Sequence, residues 1–142
     1  MKRAIQSTLL ILLLSPGTGS SAGDDPRQLV QFPEMMQHHM LSNMRDHLAT
    51  INEILTDLAD DNMDRAAEIA EQRLGMSSLA MHDAAHMAKF MPEGMREAGT
   101  TMHKTASRFA LKAQEGELLP AYKMLSELTA TCVACHSAYR IR

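Results

Sequence analysis

The chain has only two cysteines. They stand three residues apart with a histidine directly after the second: Cys132-Val133-Ala134-Cys135-His136, six residues from the end. That spacing is the attachment pattern of a c-type haem. Two thiols add across the porphyrin vinyl groups and become thioethers, and the adjacent imidazole binds the iron. The pattern also constrains local structure. On a helix, Cys132 and Cys135 lie one turn apart on one face, and His136, four residues after Cys132, shares that face. One short helical turn then presents both anchors and the axial ligand, and the haem adds a large apolar plate to the core.

Other uses of a cysteine pair fit less well. A zinc site wants a second pair of ligands, and the sequence offers no further cysteine. A thioredoxin-type dithiol wants a βαβ pattern, and none is visible. A structural disulfide between Cys132 and Cys135 is the remaining alternative.

The opposite end of the chain supplies a compartment. Lys2 and Arg3 precede a mostly apolar stretch from Ala4 to Leu14, Ser15-Pro16-Gly17 breaks it, and Ser20-Ser21-Ala22 provides small residues for cleavage. Residues 1–22 therefore read as a secretory signal peptide and residues 23–142 as one mature domain. The apolar run is well short of the roughly 20 residues a membrane span needs, and no later segment is long and apolar enough, so no membrane span is expected in the mature chain. Haem attachment of this kind needs an exported, reduced apoprotein, so both ends of the chain together point to a bacterial periplasm. Loss of Lys2 and Arg3 takes the net charge from −3 to −5. With no basic stripe, nucleic acid is not an expected partner. An acidic surface suits solubility or the steering of a basic redox partner.

Thirteen methionines, many alanines, no tryptophan and few other aromatics favour helices over a sheet. Residues 23–31 read as a disordered or extended lead-in, and Pro33 opens the first helix. Met36, Met40, Met44, His47, Leu48, Ile51, Ile54, Leu55 and Leu58 then recur at threes and fours. Asp60-Asp61-Asn62 ends that run and offers a side-chain cap for a shorter helix from Met63 to Leu74, which Gly75 stops. A turn or two is expected between Leu79 and Phe90, interrupted by Pro92 and Gly94. A third long helix carries Met95, Ala98, Met102, Ala106, Phe109 and Ala113, and ends at Gly116. The last carries Leu118, Tyr122, Leu125, Leu128, Cys132, His136 and Tyr139, with Pro120 in its first turn. Short connections between long amphipathic helices predict an all-α fold: an antiparallel up-down four-helix bundle with the attachment motif on its C-terminal helix.

Export signal, four-helix pattern and Cys-x-x-Cys-His on the final helix together resemble the cytochrome c prime family. The local run Cys132-Val133-Ala134-Cys135-His136-Ser137-Ala138-Tyr139-Arg140 looks especially like that family, which commonly has an aromatic and then a basic residue after the haem histidine. The resemblance implies one covalent haem c, with Cys132 and Cys135 as thioether anchors and His136 as proximal iron ligand. Arg140, four residues on and so one turn along the same face, would modulate the histidine or pair with a propionate; the alternative is a frayed, solvated terminus. Bundles of this family often pair through their first helices, so the resemblance allows a homodimer.

In this family the start of the first helix covers the distal face of the haem. An apolar side chain there leaves five-coordinate iron open to a diatomic gas such as nitric oxide or carbon monoxide. A methionine there gives six-coordinate iron suited to electron transfer and raises the potential. Met36, Met40 and Met44, with His38 and His39, lie in that region. Met40 is the first choice for the distal ligand, because it shares a stripe with Met44, Leu48 and Ile51. Core filling is methionine's usual role in a bundle and is the alternative for all three.

A second constellation runs through Met81, His82, His86, Met87, Met91, Met95, Met102 and His103. His82 and His86, four apart, could share a metal on a helix, and thioether and imidazole donors would suit copper. No carboxylate or cysteine completes that set at an obvious spacing, so packing and solvated histidines are the expectation there. His47, on an apolar face, reads as a hydrogen-bonded core residue. The leading function is thus a periplasmic cytochrome for single-electron transfer, with a redox partner or a diatomic gas as its counterpart. A Met/His-rich metal-binding protein is the alternative of another class. Nothing in the sequence marks a substrate pocket or an acid–base pair, so an enzyme is not expected.

Overall fold

The computed structural model describes residues 25–142. The expected signal peptide, residues 1–22, lies outside the described residues. The described chain is all-α apart from two short paired strands. Its elements are β1 (Gln28–Leu29), α1 (Glu34–Ala59), α2 (Met63–Arg73), α3 (Ala84–Met87), α4 (Glu93–Ala113), α5 (Leu118–Ala138) and β2 (Tyr139–Arg140), with single 3-10 turns at Met76–Ser78 and Ala88–Phe90. No described helix is long and apolar enough to cross a membrane.

Helix boundaries follow the local chemistry. Pro33 occupies the N-cap of α1 and Pro92 that of α4, where the missing N–H costs nothing. Pro120 sits in the first turn of α5 for the same reason. Gly116 ends the α4 segment at φ 75°, a left-handed conformation that glycine adopts without a Cβ penalty. Asn62 holds the N-cap position of α2, but its side chain makes no capping hydrogen bond.

α1 packs on α2, α2 on α4, and α4 on α5, and these are the principal helix pairs. Their shared core centres on Phe109, Ile54, Leu58, Leu74 and Leu128, all fully buried. Alanines on the facing surfaces (Ala66, Ala67, Ala70, Ala106, Ala113 and Ala121) let the backbones approach around these larger side chains. On α1 the buried stripe is Met40, Thr50, Ile54 and Leu58. Leu48 and Leu55 were expected on it, yet Leu48 is 73% exposed and Leu55 42%. Leu55 lies about 100° around the helix from Ile54 and Leu48 about 160° from Thr50, so both fall off the stripe. Thr50 takes the core position because its hydroxyl donates back to the Asp46 carbonyl at 2.8 Å, which satisfies it without solvent.

α1 and α5 do not form one of the well-packed pairs. Between them a second apolar cluster gathers Val30, Met40, Met87 and Met95, with Met36, Met44, Cys135 and Tyr139 against it. The lead-in segment closes one end of it. Gln28 and Leu29 pair in parallel with Tyr139 and Arg140, and the Val30 N–H donates to the Arg140 carbonyl at 2.8 Å. The lead-in is therefore extended and bound to the chain's other end. α5 stops at Ala138 and Tyr139 is extended (φ −127°, ψ 148°). Arg140 consequently lies on a strand, and the expected placement one helical turn beyond His136 does not hold. The pairing with β1 competes with the last helical turn and wins.

Candidate functional site

A cavity of about 480 Å³ lies where α1 and α5 fail to pack. That is within the range of about 300–1,000 Å³ typical of ligand sites. α1 contributes Met40, Met44 and His47 to its wall, the 82–91 segment His82, Met87 and Met91, and α4 Met95, Met102 and His103. The last turn of α5 and the segment after it add Cys135, His136, Tyr139 and Arg140, with Arg27 and Arg142 also lining it. The wall is thus mostly thioether and apolar surface, with imidazoles at one part and guanidiniums at another.

Four of the five residues singled out from the sequence, Cys135, His136, Arg140 and Met40, reach this one cavity. Cys132 packs instead against the main core, its Sγ 3.8 Å from the Leu128 carbonyl. Cys132 and Cys135 are not bonded to each other in this structure. Burial pushes both thiols up in pKa, and for Cys135 the neighbouring Cys132 adds to the rise. A redox dithiol needs the opposite shift. His136 is exposed, at the edge of the cavity, in the final turn of α5. Of the three candidate methionines, Met40 and Met44 reach the wall, while Met36 packs in the adjoining cluster. Met40 is only 7% exposed.

The charged side chains are arranged around β1 and β2. Arg27 is held by Asp25 at 2.6 Å and reaches the His136 carbonyl at 3.4 Å. The Arg27 guanidinium in turn holds the Asp25 carboxyl down to about 2. Arg140 has a buried Nε with no hydrogen-bond partner among the described residues. Asp25 stands 3.7 Å from that Nε, too far for a hydrogen bond. A buried guanidinium N–H left open beside an apolar cavity suits an anionic group at the edge of a bound molecule. Of the groups that a haem would use, Cys135, His136, a thioether wall and the open Arg140 Nε–H border this cavity, while Cys132 one turn earlier faces the main core.

His82 and His86, the alternative metal pair of the sequence reading, do not come together. Asp83 sits in the left-handed region at φ 50° and α3 begins only at Ala84, so the two histidines do not share a helix. His86 is exposed and tilts against Phe90, with ring centres 5.7 Å apart. His82 turns inward and meets His47 and His103, at ring-centre distances of 4.7 and 5.4 Å. His47 and His103 are 6.2 Å apart. Burial, together with the neighbouring imidazoles, pulls His47 down to about 4. Burial likewise lowers His82 and His103. Sequence reading named all three histidines without joining them. The available signal was that His47 and His103 each replace an apolar residue on a buried helical stripe.

Asn43 and His39 brace the turn that carries His82. The Asn43 side-chain amide donates to the His82 carbonyl at 3.2 Å, and His39 Nε2 is 3.1 Å from the same oxygen. No protein-family model, curated protein or solved structure matches the chain, so the reading of its role rests on this cavity and the residues that line it.

Proposed function

We propose that this chain is a periplasmic c-type cytochrome that carries one covalent haem and transfers single electrons. The observation that carries the reading is the cavity between α1 and α5, which receives the attachment turn from one side and Met40 from the other. On this reading the all-α chain is an antiparallel up-down four-helix bundle of α1, α2, α4 and α5. The short connections at residues 60–62 and 114–117 and the packing of successive helices support that topology.

Bound haem would supply a reversible one-electron iron couple. The chain's own residues set its surroundings. Cys132 and Cys135 would anchor it as thioethers, which fixes the plate against α5. His136 would offer its imidazole from the same turn. Met40 would offer a thioether from α1, a soft donor that favours the reduced state. Arg140, through its open Nε–H, would hold a propionate at the edge near β2. Met87, Met91 and Met95 would exclude water from the remaining face, and flexible thioether side chains mould readily to a rigid plate.

The test uses protein exported by a strain able to mature c-type cytochromes. Intact mass should equal the mature chain plus one haem, and acid acetone should not remove it. Oxidised protein should show the near-infrared charge-transfer band of methionine-bound ferric iron, and Met40→Leu should abolish it. Persistence of the band in that variant moves the ligand to Met44, the other methionine of α1 in the wall. Absence of the band from the unaltered protein, with ready carbon monoxide binding on reduction, replaces electron transfer by a diatomic-gas function. Haem lost to acid acetone overturns the cytochrome reading altogether.

A further inference from the structure

We propose that residues 79–91 form an acid-released flap: His82 latches the stretch onto His47 of α1 and His103 of α4, and protonation of this cluster frees the stretch while α1, α2, α4 and α5 stay folded. The three imidazoles come from three different parts of the chain, and their ring centres are 4.7, 5.4 and 6.2 Å apart. His82 and His103 are only 6% and 8% exposed. The flap carries Met87 and Met91 of the cavity wall, so its release opens the cavity to solvent. The latch needs nothing inside the cavity to operate and does not depend on the haem reading.

Hydrogen bonds fix where an added proton goes. The Leu74 carbonyl, 2.7 Å from His103 Nδ1, can only accept, so that nitrogen already carries a proton. The Ser78 hydroxyl donates to the Gly75 carbonyl at 2.7 Å, so toward His82 Nδ1, at 3.4 Å, its oxygen accepts. A further proton therefore lands on Nε2 of either ring. His82 Nε2 is buried and has no hydrogen-bond partner among the described residues, and His47 Nε2 is the same. A cation there meets neither water nor an acceptor, and two more imidazoles stand beside it. The charged and titratable groups around the cluster bring no relief. Asp46 of α1 is bound by Arg73 of α2 at 2.5 Å, and His39 of α1 and His136 of α5 carry no negative charge. The flap's own Asp83, His86 and Lys89 are exposed. Burial accordingly holds all three imidazoles below their ordinary pKa.

Of the elements that meet at the cluster, the flap is the one that yields. Arg73 ties α1 to α2 through Asp46 and Glu53, and α1, α2 and α4 share the core around Phe109. The backbone hydrogen bonds of residues 79–91 close within the stretch or on Met76 and Ser78 just before it. Asn43 and His39 reach across from α1, at 3.2 and 3.1 Å, but both hold one atom, the His82 carbonyl. Arg96 of α4 holds the Met91 carbonyl at the far end, where the flap joins α4. Buried Met87 is the remaining anchor. Asp83, beside the latch, sits at φ 50°, a conformation that a non-glycine residue keeps only while its surroundings enforce it. Opening relaxes that strain and lets His82 take up a proton in water at its ordinary pKa. Falling pH therefore pulls the equilibrium toward the open form.

The test is hydrogen exchange of the exported mature protein at pH 7.5, 6 and 5, resolved by peptide, corrected for intrinsic rates and read without any haem signal. Peptides from residues 79–91 should lose protection at least about tenfold between pH 7.5 and 5, since each imidazole released adds up to about tenfold per pH unit below about 6.5. At pH 5 they should exchange ahead of peptides from α2 and α4. His82→Gln, which keeps a polar side chain but cannot titrate, should remove most of the flap's pH dependence. His86→Gln, at an exposed position outside the cluster, should keep it. Equal flap protection at pH 7.5 and 5 would overturn the proposal, as would a flap that exchanges only in step with α2 and α4. Both are read on the unaltered protein, so they decide the matter even if His82→Gln fails to fold. A folded His82→Gln with the original pH dependence would overturn it too.

Discussion

The buried imidazoles should make the protein sensitive to mild acid, and the size of the effect can be worked out. Burial and two neighbouring rings take His47 from 6.5 to about 4. The folded chain keeps this ring neutral, while the unfolded chain protonates it as soon as the pH falls through about 6.5. Its contribution is therefore fully present above that value and is lost progressively as the pH falls toward 4. At about 1.4 kcal/mol per pH unit the whole loss is about 3 kcal/mol, and about 2 kcal/mol of it has gone by pH 5. His82 and His103 shift in the same direction and add to the slope. Carboxylates do not confuse the window. Asp25 and Glu71 are the acids held below their ordinary values, so their losses begin only under about pH 4.5. Urea unfolding followed by helical circular dichroism, on chelator-treated haem-bearing protein at pH 7.5, 6 and 5, measures the effect. Stability at pH 5 should fall by about 2 kcal/mol or more, and His47→Gln should flatten the curve. Equal or greater stability at pH 5 would refute the buried neutral cluster. A His47→Gln curve with the full original slope would refute the assignment to His47.

Two further substitutions probe the frame around the cavity. Phe109→Ala empties a fully buried position at the centre of the α4 interface and should cost about 3–5 kcal/mol in denaturant melts. Gly94 gives the start of α4 a close approach to Tyr139, since a Cβ there would stand 2.5 Å from the tyrosine hydroxyl. Gly94→Ala should push Tyr139 aside and loosen β2 from β1, read as faster hydrogen exchange at the Val30 N–H that bonds the Arg140 carbonyl.

Helices were legible because their boundary chemistry is local. Pro33, Pro92, Pro120 and Gly116 act through their own backbone geometry, and the sequence places each within a residue or two of an observed boundary. What was illegible depends on partners far along the chain. The final residues look helical until Gln28 and Leu29 offer them a strand to pair with, and nothing near Tyr139 announces that. The His82–His86 spacing looked helical until Asp83 took a positive φ, held in a turn that Asn43 and His39 brace from α1. Thr50 and Leu48 point to nearly opposite sides of α1, and periodicity alone did not say that the side with Thr50 faces the core.

The methionines show why composition could be read two ways. As fillers they would close the gap between α1 and α5, and as ligands they would line it. The observed wall has Met40, Met44, Met87, Met91, Met95 and Met102 around an open volume, with Cys135 and His136 on the far side. Fillers alone would leave α1 and α5 in contact, because unbranched side chains collapse into any space they can reach. The space stays open because its borders are held from outside. Arg73 of α2 ties down α1 through Asp46 and Glu53, at 2.5 and 2.7 Å. Gln37 on α1 donates to the Ile141 carbonyl, which fixes the start of α1 against the end of the chain beyond α5. An apolar cavity held at its edges, with one buried arginine N–H open beside it, is costly unless something occupies it. On the proposed reading, a flat, apolar, anion-edged group held from Cys135 and His136 would remove much of that cost. If the chain carries haem as proposed, its loss should therefore destabilise the fold far more than the loss of any single methionine.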